Sequence, residues 1–284
     1  MKNVLDYIKA ISPLTLLSSI LSALVGASLA YHFECLNIIR FVLVLVGLVL
    51  VHSAVNLYND YCDYLRGVDV EYRRRHALHR MSIIIDLGVS PIRVKQCVYV
   101  LVASALAIAV ALMIMIRNVV PILVLLAIGL LIGLGYSGLK LRYYGLGEIL
   151  AGIAVGPLVT AGAYIAISGT VKHIALALVL GVPNGMFTSM ILILIGIARL
   201  DIDRELGKHT IAVKLGAKRA LYVAYGLVAL GYIILVALCL AKVLSYYALP
   251  ALLTAPLAVR LRSMKKLFVV RSIVTAFICA GLIL

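Results

Sequence analysis

Residues 38–69 read Ile38-Ile-Arg40-Phe-Val-Leu-Val-Leu-Val-Gly-Leu-Val-Leu-Val-His52-Ser53, then Ala-Val-Asn56-Leu-Tyr58-Asn59-Asp60-Tyr61-Cys62-Asp63-Tyr64-Leu-Arg66-Gly67-Val-Asp69. The run Ile38–Ser53 is almost continuously apolar and does not alternate. A barrel strand would place a polar residue at every second position, so the run reads as a membrane-crossing helix, which needs about 20 mostly apolar residues. The second half keeps helical spacing but brings in acids. Asn56, Asn59/Asp60 and Asp63 stand at i, i+3/i+4 and i+7, on one helical face. Carboxylates at the edge of hydrocarbon are costly unless paired or liganded. A line of carboxylates and amides suits a hard divalent cation such as Mg²⁺, which takes oxygen ligands and keeps waters.

The rest of the chain repeats the pattern of that first half. Of its 284 residues, 64% are apolar, where soluble domains hold about 45–50%. Apolar runs fall at roughly 13–31, 38–58, 96–116, 118–136, 147–168, 173–198, 219–240, 243–259 and 267–284. We expect an all-α, polytopic transmembrane bundle of about nine helices, with a tight turn at Arg117-Asn118 and an amphipathic N-terminal segment, Met1–Ser12, on the membrane surface. No cleavable signal peptide is expected. The whole chain, 1–284, reads as one transmembrane domain of two pseudo-related halves, about 1–136 and 137–284, because acid clusters close two spans that stand four apart.

A net charge of +15 could suggest nucleic acid. No soluble segment is long enough to hold it, so no nucleic-acid partner is expected and the lipid bilayer is the partner. With a cytoplasmic N-terminus, 22 of the 26 Lys and Arg fall on the cytoplasmic side; only Arg40, Arg117, Lys172 and Lys242 fall outside it. That asymmetry follows the positive-inside rule and predicts an integral membrane protein of the cell membrane with its active site on the cytoplasmic face. The cysteines Cys35, Cys62, Cys97, Cys239 and Cys279 are scattered and lack zinc spacing. With no Trp, the 16 Tyr must supply the interfacial aromatic belt.

A second cluster, Arg199-Leu-Asp201-Ile-Asp203-Arg204-Glu205-Leu-Gly207-Lys208-His-Thr210, closes the sixth run. Carboxylates beside cations are what a metal-bridged diphosphate needs. A third piece, Tyr136-Ser-Gly-Leu-Lys140-Leu-Arg142-Tyr143-Tyr144-Gly145-Leu-Gly147-Glu148, brings Lys140 and Arg142 close enough to grip an anion together, or to act as plain positive-inside flanks. The basic stretch Arg73–Arg80, with His76 and His79, reads as a loop over the site and a candidate lid.

Together these segments resemble the UbiA superfamily of intramembrane prenyltransferases, most of all its 1,4-dihydroxy-2-naphthoate branch of menaquinone synthesis. Asn59, Asp60, Asp63, Gly67 and Asp69 match that branch's Asn-Asp-x-x-Asp-x-x-x-Gly-x-Asp. Lys140–Glu148 is similar to its basic-x-basic-Tyr-x-Gly-Leu-Gly-acid segment. Asp203-Arg204-x-x-Gly207-Lys208-x-Thr210 is similar to the tail of its second motif, and Gly156-Pro157 and Gly162 also fit. The resemblance implies Mg²⁺-dependent transfer of a polyprenyl group from an allylic (isoprenoid) diphosphate to an aromatic acceptor. It makes Asp60, Asp63 and Asp203 catalytic. It assigns Asp60, Asp63, Asp69, Asp201, Asp203 and Glu205 to two Mg²⁺ ions, and Asn56, Asn59, Arg66, Lys140, Arg142, Arg204 and Lys208 to the diphosphate. Tyr58, Tyr61 and Tyr64 are placed either to shield an allylic cation or as interfacial rings. One position departs: the second motif is Asp-x-x-x-Asp, and Arg199 stands where its first acid belongs, leaving Asp201, or the pair Asp201 and Glu205, as substitutes. On an ideal helix Asp201 and Asp203 point about 200° apart. Three other readings stay open: a different acceptor (4-hydroxybenzoate or a glyceryl phosphate lipid), a non-catalytic relative, and a cation-coupled transporter.

Overall fold

A computed structural model describes residues 4–77, 81–116, 119–260 and 263–284. The expected turn at Arg117-Asn118, and His79 and Arg80 of the expected lid, lie outside the described residues. A short helix α1 (Val4–Ala10) leads into α2 (Pro13–His32) and α3 (Ile38–Leu65), which Asn37 caps by accepting the Arg40 amide at 3.0 Å. Gly67, at φ 71°, turns the chain left-handed between α3 and a short α4 (Val68–Arg74), a conformation that costs any residue with a Cβ. Two long helices follow, α5 (Pro91–Met115) and α6 (Val119–Gly138). A 3₁₀ turn, Leu141–Tyr144, joins α6 to α7 (Gly147–Ile153), a π turn (Ala154–Leu158) and α8 (Val159–Ser168). The chain continues through α9 (Ile174–Ala198), α10 (Leu200–Glu205) and α11 (Ile211–Leu240), which bends at Gly216. It ends with a 3₁₀ stretch (Tyr246–Thr254), α12 (Ala255–Arg260) and α13 (Met264–Ile283).

Among the described residues eight helical segments are long and apolar enough to cross a membrane. The expected ninth, 243–259, takes another form. Ser245 donates its amide to the Gly281 carbonyl at 2.8 Å, near the end of α13, whereas α13 begins just after α12. Residues 246–260 therefore run the length of the bundle. At about 2.0 Å per residue in 3₁₀ geometry and 1.5 Å in α, they reach roughly 27 Å, close to the hydrocarbon thickness. Pro250 and Pro256 sit in this stretch, and proline inside a regular helix removes a hydrogen bond and clashes with the preceding turn.

The spans sort by what they face. The apolar window of α6 is only 6% buried, and that of α2 is 61% buried. Ile38, Ile39, Val42 and Val46 on α3, and Val120, Val124 and Leu131 on α6, are exposed, as lipid contact requires. The interior is closed by small residues, which let helices approach when lipid removes the hydrophobic drive between them. A Cβ added at Gly156 in the π turn would stand 2.5 Å from the Gly185 nitrogen on α9, and one at Gly26 on α2 would stand 2.6 Å from the Thr160 carbonyl on α8. One end of the bundle gathers the Phe33 ring stacked on His173 at 3.7 Å and the His32–Leu282 hydrogen bond at 2.7 Å. The other end gathers the charged segments.

The candidate active site

On α3 the polar stripe divides. At about 100° per residue, Asn59 and Asp63 occupy one side of it and Asn56 and Asp60 the other. Asp60 is fully buried and accepts the Ile83 amide at 3.1 Å. Asn56 donates both to the Ile11 carbonyl (2.9 Å) and to Thr15 Oγ1 (2.8 Å), which pins the α1–α2 junction. With both amide hydrogens committed there, Asn56, expected at the diphosphate, keeps its Oδ1 to offer the site. Asn59 accepts from Ser137 Oγ. Asp63, 3% exposed, pairs with Arg142 from the 3₁₀ turn.

The second cluster folds as the helix α10, and its geometry decides which acid counts. Asp203 faces inward, 3% exposed. It accepts from Tyr72 Oη and stands 3.7 Å from Lys208 Nζ. Asp201, two residues earlier, is turned outward: its side chain is 86% exposed and meets only Arg204, at 3.8 Å. Glu205 is likewise exposed and pairs with Arg75. α10 stays helical, so Asp201 and Glu205, the expected substitutes for the missing acid, stand on the opposite face from Asp203. Arg204, expected at the diphosphate, is also exposed. The missing acid's own position carries Arg199, whose guanidinium lies over the Tyr72 ring at 4.4 Å and whose Nε donates to the Ala77 carbonyl at 3.0 Å.

The two clusters meet through aromatic rings that the sequence did not single out as the junction. The cations of Arg142 and Lys208 both stand over Tyr143, at 5.7 and 5.1 Å, and Lys208 Nζ donates to Tyr72 Oη at 2.7 Å. The path Asp63–Arg142–Tyr143–Lys208–Asp203 is continuous, so both acids lie at one mouth of the bundle. Asp69, 2% exposed, lies close enough for its charge to act on Lys208. Arg66 donates to the Ser137 (2.6 Å) and Gly138 (3.2 Å) carbonyls. It therefore caps the end of α6, whose last carbonyls have no helical partner. Lys140, at the start of the turn that carries Arg142, is exposed. Tyr58, Tyr61 and Tyr64 pack against the buried segment containing Ile83, Ile84 and Leu87, so the rings that face the charges are instead Tyr72, Tyr136 and Tyr143. Arg73 and Arg74 end α4, Arg75 follows it, and all three are tied to Glu71, Asp86 and Glu205 by ion pairs.

Burial, then the neighbouring Arg142 charge, push the Lys208 ammonium down to about 7 against the opposing pull of Asp203. Burial and Asp203 raise the Tyr72 phenol far above its ordinary value, so it stays a neutral donor. Arg142 Nε and Tyr143 Oη are buried without hydrogen-bond partners among the described residues. Unmade bonds at buried donors are expensive, and both are donors a phosphate oxygen can fill. Among the described residues no three His, Cys, Asp or Glu side chains form a ready metal cage. The acids here are hard carboxylates, each beside a cation, an arrangement that fits Mg²⁺ carried in by a phosphate and completed by water.

The fold and the mouth together define a polytopic membrane protein that gathers buried carboxylates, cations and ring faces at one end of its bundle. The UbiA prenyltransferase family model matches residues 19–269, and the chain belongs to that family: it is an integral-membrane prenyltransferase. It is 27% identical over 245 residues to UbiA prenyltransferase domain-containing protein 1 of Dictyostelium discoideum, covering 84% of this chain and 72% of that one. It is 30% identical over 228 residues to the chloroplastic 2-carboxy-1,4-naphthoquinone phytyltransferase of Arabidopsis thaliana, covering 78% and 57%. It is 24% identical over 249 residues to the 1,4-dihydroxy-2-naphthoate octaprenyltransferase of Bacillus subtilis, covering 86% and 76%. Among solved structures, the fold is similar to the apo form of a UbiA homologue from Aeropyrum pernix K1 (TM-score 0.73, 23% identity, 95% of this chain and 97% of that one). It is also similar to a homologue from Archaeoglobus fulgidus bound to DMAPP and Mg²⁺ (TM-score 0.64, 17% identity, 98% and 99%).

Proposed function

We propose that this prenyltransferase moves a polyprenyl group from an allylic diphosphate to 1,4-dihydroxy-2-naphthoate or a similar quinone precursor, at the cytoplasmic face, with two Mg²⁺ ions. The observation that carries the reading is the convergence of Asp63–Arg142 and Asp203–Lys208 on the Tyr143 ring at one mouth of the bundle. The naphthoate-handling relatives from Arabidopsis and Bacillus, and the first motif from Asn59 to Asp69, favour this acceptor over 4-hydroxybenzoate or a glyceryl phosphate lipid. Acids that line a mouth among cations, and not the middle of a broken helix, disfavour a transporter.

Asp63, Asp69 and Asp203 are the ligands available to the ions, with Asp60 beside them; a carboxylate has enough lone pairs to keep the Ile83 amide and still serve a cation. Bound there, Mg²⁺ supplies charge neutralisation of the leaving diphosphate. Arg142 and Lys208 bind the remaining phosphate oxygens, Arg142 through the Nε that now has no acceptor. Lys208 holds its proton against the developing negative charge as the C–O bond ionises. The faces of Tyr72, Tyr136 and Tyr143, already beside cations, flank the allylic cation and exclude water from it. The acceptor ring then attacks that carbon, and its carboxylate leaves as carbon dioxide while the new bond forms.

The test is product formation by the purified chain with Mg²⁺, a long prenyl diphosphate and a panel of aromatic acceptors. Pyrophosphate release with prenylation of 1,4-dihydroxy-2-naphthoate is expected, and Asp63→Ala abolishes it. Turnover unaffected by that substitution, or without divalent metal, contradicts the mechanism. Turnover only with 4-hydroxybenzoate moves the chain to another branch.

A further inference from the structure

The interior holds a second charge that the reaction above does not use. Arg271 lies on α13, within a membrane span, and is 0% exposed. The positive-inside pattern counts it with the cytoplasmic cations, but the structure places it inside the bundle. Its Nε donates to Asn184 Oδ1 on α9 at 3.3 Å, and its Nη2 to the Ser18 carbonyl on α2 at 3.1 Å. Both acceptors are neutral, and among the described residues no carboxylate forms an ion pair with it. An ionised group within a span is expensive, and marks a ligand or ion path when it persists.

The polar groups around it are unbalanced in one direction. Thr275 Oγ1 also donates to Asn184 Oδ1, at 2.8 Å. Two donors on that oxygen orient the amide and aim its Nδ2 elsewhere. Among the described residues, none partners the buried Asn184 Nδ2, Arg271 Nη1 or Ser22 Oγ. Ser22 is one turn beyond Ser18 on the same face of α2. Three helices thus carry unfilled donors: Arg271 and Asn184 are hydrogen-bonded to each other, and Ser22 stands one turn from the residue whose carbonyl holds Arg271.

We infer that Arg271, Asn184 and Ser22 form a buried binding site for a single small anionic group. The chemistry required is one negative charge with room for two or three donated hydrogen bonds. It can come from a free halide, or from the carboxylate of a small aromatic acid. A neutral water satisfies the donors but leaves the charge uncompensated.

The probes are sodium bromide and 1-hydroxy-2-naphthoate, each read by thermal unfolding of the full chain in nanodiscs, with sodium gluconate holding ionic strength constant and 1-naphthol as the uncharged control. A saturable rise in unfolding temperature with at least one anion, absent with gluconate and 1-naphthol, is expected. Bromide alone identifies a free halide, and the naphthoate alone identifies a carboxylate. Arg271→Met removes the rise. Ser22→Ala, which keeps the charge and the helix contacts, weakens the apparent affinity by roughly three- to tenfold, the value of one hydrogen bond. No saturable rise with either anion, or a rise unchanged in Ser22→Ala, overturns the inference.

Discussion

The inward turn of Asp203 and the outward turn of Asp201 and Glu205 give α10 one buried acid. Asp203→Ala is expected to lower kcat/KM by at least about 100-fold, roughly 2.7 kcal/mol of transition-state stabilisation. Asp201→Ala should stay within about twofold, because exposed charges contribute little. Steady-state kinetics on the two variants checks both; equal losses contradict the assignment. Asp63→Asn has a second consequence. It strips Arg142 of its counter-charge in a buried setting, so besides losing activity it should lose about 3–5 kcal/mol of stability, read as a lowered unfolding temperature. Lys208 supplies a pH signature. Its pKa of about 7 in the free protein leaves it about half neutral near neutrality, and a bound diphosphate favours the charged form. Binding therefore takes up a proton, and affinity falls as pH rises above 7, by up to about tenfold per unit. Calorimetry of pyrophosphate binding in buffers of different ionisation heat reports that uptake; none, or release, contradicts it.

At the scale of elements, the acids of α3 were legible because carboxylates are too costly at a membrane boundary to be incidental, and Asp203 because cations surround it. Which side of a helix each residue faces needed the structure. Asn56 and Asp60 share a stripe with Asn59 and Asp63, yet the α1–α2 junction and the segment after α4 claim the first two. Nothing in a Tyr-rich chain without Trp distinguishes Tyr72 from an interfacial ring, and the motif that contains Tyr143 does not say which charges its ring meets. Their role appears only when α4 and the 3₁₀ turn are laid against α10. Run lengths located the spans well, but underestimated α3 and α11, which stay helical past the apolar limit into the charged ends. The close contact of the π turn with α9 positions α7 and the mouth beside it. Gly156→Ala drives a methyl into the Gly185 backbone, and an overpacked interior typically costs about 1–3 kcal/mol. A lowered unfolding temperature checks this, and an unchanged one shows that the two helices can part.

Across the whole molecule, the lipid-facing spans α3, α5 and α6 and the buried pair α2 and α9 set a bundle with one charged and one quieter end. The Lys and Arg asymmetry predicts that the charged end is cytoplasmic. In a cysteine-free background, an impermeant maleimide should label Lys172→Cys in intact cells and Lys140→Cys only after permeabilisation; both positions are exposed. The reverse pattern inverts the topology. The central claim is that acids far apart in sequence hold one substrate group. It is tested most directly by a cryo-EM structure with Mg²⁺ and an unreactive thiolo analogue of a prenyl diphosphate. The account predicts diphosphate density between Asp63 and Asp203, in contact with Arg142 and Lys208. Density that touches only one of those acids, or that lies at the Phe33–His173 end, contradicts it.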